Sequence, residues 1–186
     1  MGKRLPPPGR AWAPYALIAV IGNAIPFYLI TWGQQVVESA LAGILMAMMP
    51  LATIALAHFL IAGEHLTRQR ATGFMIGFCG IVLLMGPAAL AGVGGDAVRI
   101  VSQLAVLGGA LCYALQSVLT RLIIKGEVLV AAAATLLVAS LIVVPVALWL
   151  DRPWTLAPSG ASAGAVVWLG VAPTALATVL YFMLIR

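Results

Sequence analysis

Six long windows of the sequence contain no Asp, Glu, Lys or Arg, and each exceeds the roughly 18 residues that mark a membrane-spanning candidate. They lie between Arg10 and Glu38, Glu38 and Glu64, Arg70 and Asp96, Arg99 and Arg121, Glu127 and Asp151, and Arg152 and Arg186. Only 8% of the residues are charged, whereas about a quarter are charged in an average soluble domain. The windows predict an all-α membrane protein of about six transmembrane helices, named spans A to F, in a lipid bilayer.

Two other classes of protein fit the sequence less well. A membrane barrel requires segments of alternating hydrophobicity, whereas residues 128–150 are apolar on every side. The net charge of +5 comes from basic residues scattered singly between apolar windows, without the basic stripe that nucleic acid requires. We therefore expect no nucleic-acid partner.

The basic residues instead predict the orientation in the membrane, because Lys and Arg near span ends are held on the cytoplasmic side. With both termini in the cytoplasm of a multi-pass inner-membrane protein, only Arg99 and Arg152 lie outside. The basic residues inside are then Lys3, Arg4, Arg10, Arg68, Arg70, Arg121, Lys125 and Arg186.

Prolines and glycines divide the chain further. The predicted spans A to F cover about Trp12–Trp32, Ser39–Ala62, Ala71–Leu90, Val101–Ile124, Leu129–Leu150 and Ala163–Ile185. Pro50 lies near the middle of span B and should bend it, because proline removes one backbone hydrogen bond. The glycine-rich link at residues 92–95 predicts a boundary between residues 1–91 and 92–186.

Spans A and F carry a weak internal repeat, offset by 151 residues. The matched positions of span A are Ile18, Val20, Asn23, Ala24, Ile25 and Leu29, and those of span F are Leu169, Val171, Thr174, Ala175, Leu176 and Leu180. Because span F is the fifth helix after span A, an odd number, the repeats would be inverted relative to each other. Inverted repeats are the architecture of many secondary transporters.

Four stretches resemble the EamA-type family of the drug/metabolite transporter superfamily. Span B and its exit, with Pro50 and the turn Gly63, Glu64 and Thr67, resemble the fourth helix of that family. RATGFMIGFCGIVLLMGP is similar to its fifth helix, LAVLGGALCYALQSVLTR to the start of its second repeat, and LGVAPTALATVLYFMLI to the third helix of that repeat.

The resemblance implies a bundle of five plus five helices in which spans A to F correspond to helices three to eight. Residues 1–91 would then be the C-terminal part of the first repeat and residues 92–186 the N-terminal part of the second, each with three helices. The implied function is export of a small organic metabolite or drug-like solute. The alternative is a truncated fragment that does not transport and acts through assembly, as a homodimer or with complementing helices.

Polar side chains recur at helical spacing on three spans and predict a solute pathway, because polar groups in a bilayer tend to line the bundle interior. These pathway candidates are Asn23, Phe27, Thr31 and Gln34 on span A, Tyr113, Gln116 and Thr120 on span D, and Thr174, Thr178 and Tyr181 on span F. The alternative role for each of them is a hydrogen bond that joins neighbouring helices.

Span B adds Met46 and Pro50 to the pathway candidates, because a flexible thioether suits a pocket for varied apolar solutes. Core packing is the alternative for Met46. Small residues four apart allow helices to approach closely, and they predict packing roles for Gly43, Gly73 and Gly77.

Catalytic motifs are absent from the sequence, which holds no phosphate loop, no His-Glu-x-x-His and no carboxylate pair within a span. We therefore predict that the chain is not an enzyme and has no cofactor. Cys79 and Cys112 lie within apolar spans and predict no metal site. His58 and Glu64 lie at the end of span B, where a contact at the helix end is favoured over ion coupling.

Overall fold

Capping residues, prolines and glycines divide the chain into helices. The computed structural model describes residues 5–7, 9–124, 127–151, 155 and 159–184, and the regular structure of these residues is entirely helical. Half of the ten cations that predict the orientation lie outside the described residues, namely Lys3, Arg4, Lys125, Arg152 and Arg186.

The α-helices of the described residues are α1 Ala13–Ala19, α2 Ile25–Gly33, α3 Ser39–Met46, α4 Met49–Leu60, α5 Arg68–Met85, α6 Ala97–Ile123, α7 Val128–Asp151, α8 Gly160–Leu169 and α9 Ala177–Leu184. Side-chain caps set three of their starts, because the first backbone N–H groups of a helix lack partners within it. Thr67, Asp96 and Ser159 each accept a hydrogen bond from the backbone N–H three residues further on, at 3.3, 2.9 and 3.2 Å.

Five helical stretches of the described residues are long and apolar enough to cross a membrane, and the chain is a multi-pass membrane protein. They are Arg10–Gly33, Ser39–Leu60, Ala97–Ile123, Leu129–Leu150 and Gly160–Tyr181, which correspond to spans A, B, D, E and F. Span C is the shorter helix α5, 18 residues long, whose first turn is polar. It ends at Met85 rather than near Leu90, because Gly86 takes a φ of 87°, which ends the helix.

Spans A, B and F are interrupted near their middles. Span B divides into α3 and α4, because Pro50 has no N–H to donate to the Met46 carbonyl. Spans A and F each contain a π-helical segment, Val20–Ala24 and Gly170–Leu176. A π segment has one residue more per turn than the sequence periodicity anticipates, and such segments are frequent at functional positions.

Contacts group the chain into two compact units, Ile21–Leu122 and the pair of segments Met1–Val20 and Ile123–Arg186. Within Ile21–Leu122, α3 packs on α5, and Val37, Leu41, Ala42 and Val106 form a buried cluster. These units are defined by contacts between residues. The boundary between residues 91 and 92 separates the predicted repeats, and it stays a prediction.

The other unit is built around α7, which packs against α1 and α9. Its buried cluster consists of Ala131 and Ala132, with Tyr15, Val179 and Tyr181 packed against it. Alanines at these positions let the neighbouring aromatic rings approach the helix closely.

Candidate solute pathway

Span A and α6 pack together through glycines on both helices. A methyl group at Gly33 would lie 2.6 Å from the Ser102 carbonyl oxygen and 2.8 Å from a Val106 methyl carbon. A methyl group at Gly109 would lie 2.5 Å from Cγ1 of Ile30. No side chain larger than hydrogen fits at such distances without a shift of the helices. We call this contact the glycine crossing.

A third glycine extends the glycine crossing toward the other end of α6. A methyl group at Gly22 would overlap the side chain of Gln116. The contacts of span A with α6 therefore run from Gly33 beside Ser102 to Gly22 beside Gln116, so the two helices are antiparallel. An antiparallel pair is what the alternating order of spans A and D predicts.

The predicted polar stripe of α6 lies partly at the glycine crossing. Tyr113 and Gln116 are half-buried, and Thr120 is buried at 3% exposure. The buried hydroxyl groups of Ser102 and Thr120 have no hydrogen-bond partner among the residues that the structure describes. Ser102, Tyr113, Gln116 and Thr120 therefore place polar atoms along one side of α6, although an unpaired hydroxyl is costly in an apolar interior.

The predicted stripe of span A lies beside the glycine crossing rather than in it. Asn23 is half-buried, whereas Phe27, Thr31 and Gln34 are exposed. The contacts of span A with α6 instead include Gly22, Pro26, Ile30 and Gly33. One residue of offset rotates a helical surface by about 100°, so the polar stripe turns away from α6.

The two pathway candidates of span B, Met46 and Pro50, lie in different surroundings. Met46 is half-buried and packs against the cluster of Val37, Leu41, Ala42 and Val106. This is the core-packing role that was the alternative to a pathway role for Met46. Pro50 is exposed beside the break between α3 and α4.

The span F candidates belong to the other unit. The Thr174 hydroxyl donates to the Leu169 carbonyl at 2.9 Å. In a regular α-helix that carbonyl would accept from the backbone N–H of Pro173, which proline lacks. Thr178 is half-buried, and Tyr181 packs against the cluster of Ala131 and Ala132.

The two π segments lie at positions related by the 151-residue offset of the predicted repeat. That offset carries Val20–Ala24 onto residues 171–175, within Gly170–Leu176, and places Asn23 at the position of Thr174. In both spans the α-helix is therefore interrupted at a polar residue that the predicted repeat would place at equivalent positions.

The small residues predicted to pack helices have contrasting surroundings. A methyl group at Gly43 would lie 3.3 Å from Cε of Met85, whereas at Gly73 or Gly77 it would meet no atom within 4 Å. Gly22 and Gly33, which do form close contacts, were not singled out by the sequence. Their signal is a spacing of 11 residues, three helical turns, with Pro26 between them on the same side.

A charged cluster joins the loop after α4 to the end of α6. Carboxylate oxygens of Glu64 lie 2.7 Å from Nη1 of Arg121 and 3.3 Å from Nη1 of Arg70. Its hydrogen bond with Arg121 and the charges of both guanidinium groups hold the pKa of Glu64 below its ordinary value, although desolvation opposes the shift. Nδ1 of His58 lies 3.2 Å from the Glu64 carbonyl oxygen. Glu64 is therefore a contact between helix ends.

Comparison with known proteins agrees with this helical architecture. The sequence profile of the EamA-like transporter family matches residues 1–86. A solved structure entitled "Crystal structure of protein" superimposes with a TM-score of 0.68 at 22% sequence identity. The match covers 96% of this chain and 71% of the other chain. At this identity the likeness concerns the fold alone. No curated protein matches the chain.

Proposed function

Because residues 1–86 match the EamA-like transporter family, we propose that the chain exports a small organic metabolite or drug-like solute across the inner membrane, with both termini in the cytoplasm. Members of this family transport solutes rather than catalyse reactions.

The observation that carries the proposal is the polar side of α6. Gln116 lies at the glycine crossing, with Tyr113 one turn away and Thr120 at the end of the stripe, so hydrogen-bonding groups are concentrated along one side of a helix that is long and apolar enough to cross a membrane. Polar groups inside a bilayer are costly and are retained where they face a water-filled path or a solute. We assign these three residues, together with Asn23, to the pathway.

The mechanism that fits these residues is a rocking motion of two inverted repeats, of which residues 1–91 and 92–186 would each form a part. The equivalent π segments support this assignment, because each is a point where the regular hydrogen bonding of a spanning helix changes. The remaining pathway candidates stay predictions from the sequence, namely Phe27, Thr31, Gln34, Met46, Pro50, Thr174, Thr178 and Tyr181.

Accumulation measurements in cells test the proposal. Bacteria that express the chain should accumulate less of at least one labelled solute from a panel of amino acids, nucleosides and biocides than cells with an empty vector. The variants Asn23→Leu and Gln116→Leu should each abolish that difference, while Gln35→Leu, an exposed residue outside the stripes, should preserve it. Normal export by both pathway variants would contradict the site assignment.

A second function, assembly between chains, is favoured by the open surface of α5. Among the described residues, no atom lies within 4 Å of a methyl group placed at Gly73, Gly77 or Gly80, so a second helix has room to approach there. The double variant Gly73→Leu/Gly77→Leu should then abolish concentration-dependent dimerisation in detergent. Gly164→Leu, at an equally open glycine of α8, is the matched control, and unchanged dimerisation of the double variant would exclude this surface.

A further inference from the structure

Gly22 lies against the carboxamide group of the Gln116 side chain. Gly22 is buried, and a methyl group there would overlap Cγ, Cδ and Nε2 of Gln116, so the carboxamide occupies the volume in which any other residue would hold its Cβ. Substitution of either residue therefore changes where the carboxamide lies.

The backbone around Gly22 departs from regular α-helical hydrogen bonding. Gly22 belongs to the π segment Val20–Ala24, and Pro26 has no N–H to donate to the Gly22 carbonyl four residues earlier. The carboxamide of Gln116 thus packs beside a turn whose regular hydrogen bonding is broken. Asn23, the next residue, adds a second half-buried carboxamide to the same turn.

We propose that Gly22 is a positioning residue that holds the Gln116 carboxamide against the π segment of span A, where it binds an uncharged hydrogen-bonding group of the transported solute. A carboxamide both donates and accepts hydrogen bonds, which matches a hydroxyl or amide group. The inference rests on the proposed transport function and names the part of the solute that this site recognises.

Proteoliposomes that contain the purified chain provide the test. They are loaded with a defined mixture of neutral amino acids, amino acid amides and sugars, and release of each compound is followed by mass spectrometry. The probe is the compound that the wild-type protein releases fastest. Gly22→Ala should raise the KM for that probe about tenfold, the effect of one lost neutral hydrogen bond, because its methyl group displaces the carboxamide.

Two double variants separate positioning from packing. Gly22→Ala/Gln116→Asn shortens the side chain but keeps the carboxamide, and it should recover most of the wild-type KM. Gly22→Ala/Gln116→Ala removes the overlap without supplying a carboxamide, and its KM should stay raised although the protein elutes as a folded species on gel filtration.

The outcomes that overturn the inference differ from those that overturn transport. If the wild-type protein releases no compound faster than empty liposomes, the proposed function fails, and the inference with it. If the wild-type protein transports but Gly22→Ala leaves KM unchanged, or Gln116→Ala restores it as well as Gln116→Asn does, the positioning role alone is refuted.

Discussion

At the scale of single residues, some glycines are tightly packed against a neighbouring helix and others are not. A methyl group at Gly33 or Gly109 would lie within 2.6 Å of a neighbouring atom of the other helix, whereas one at Gly73 would meet nothing within 4 Å. The residue type is identical, and only the partner helix distinguishes the positions. The sequence alone therefore predicts that glycines favour packing without showing which of them are packed.

Gly33→Ala is expected to destabilise the folded protein by about 1–3 kcal/mol, because the new methyl group would press on the backbone of α6 rather than on a movable side chain. The measurement is the Tm of the purified protein in detergent. Gly73→Ala, at an open position, should change Tm little. Equal effects of the two substitutions would contradict the glycine crossing.

Glu64 gives a prediction that depends on pH. Because pairing with Arg121 and Arg70 lowers the pKa of Glu64 from its ordinary value of 4.5, its stabilising effect is complete above pH 4.5 and disappears as the pH falls through the lowered pKa. The wild-type Tm should exceed that of Glu64→Gln by a constant amount at neutral pH and approach it on acidification below 4.5. A difference that persists at pH 2 would show that ionisation of Glu64 is not its cause.

At the scale of helices and links, Gln103 holds the glycine-rich link before α6. Its Oε1 accepts from the Gly94 N–H at 3.0 Å, and its Nε2 donates to the carbonyls of Gly92 and Gly94 at 2.8 and 3.1 Å. One buried side chain thereby satisfies three backbone groups of a link whose Gly94 has a φ of 83°.

Gln103→Leu should therefore loosen this link and lower stability by about 1 kcal/mol or more, because three polar backbone groups lose their partner. The measurement is the rate of proteolytic cleavage in the protein purified in detergent, which should rise within residues 92–96. Gln69→Leu, an exposed residue of the first turn of α5, is the control. Unchanged cleavage in Gln103→Leu would show that other contacts fix the link.

The sequence predicts helices better than it predicts their surfaces. Charge-free windows predict the spans, and Pro50 predicts a bend at the place where span B is interrupted, because both effects act locally along the chain. The side of span A that contacts α6 was not predicted, because the π segment and the fit of Gly22 to Gln116 depend on a partner far away in sequence. Span C ends earlier than predicted because the sequence does not show the positive φ of Gly86.

At the scale of the whole molecule, the chain is a helical membrane protein whose residues 1–86 match the EamA-like transporter family. The proposed transport function requires that the polar side of α6 meets water or solute while its other sides meet lipid or neighbouring helices. Leu104 and Leu111 lie on α6 as exposed apolar side chains at 59% and 54% exposure, as expected for positions that face lipid.

Thiol accessibility along α6 tests this requirement most directly, because it does not depend on the identity of the solute. Single cysteines at positions 104, 111, 113, 116 and 120, in a protein with Cys79→Ser and Cys112→Ser, are treated in membranes with a charged, water-soluble thiol reagent. The account predicts rapid reaction of Tyr113→Cys, Gln116→Cys and Thr120→Cys, and slow reaction of Leu104→Cys and Leu111→Cys. Equal protection of all five, or faster reaction at the leucine positions, would contradict a solute pathway on this side of α6.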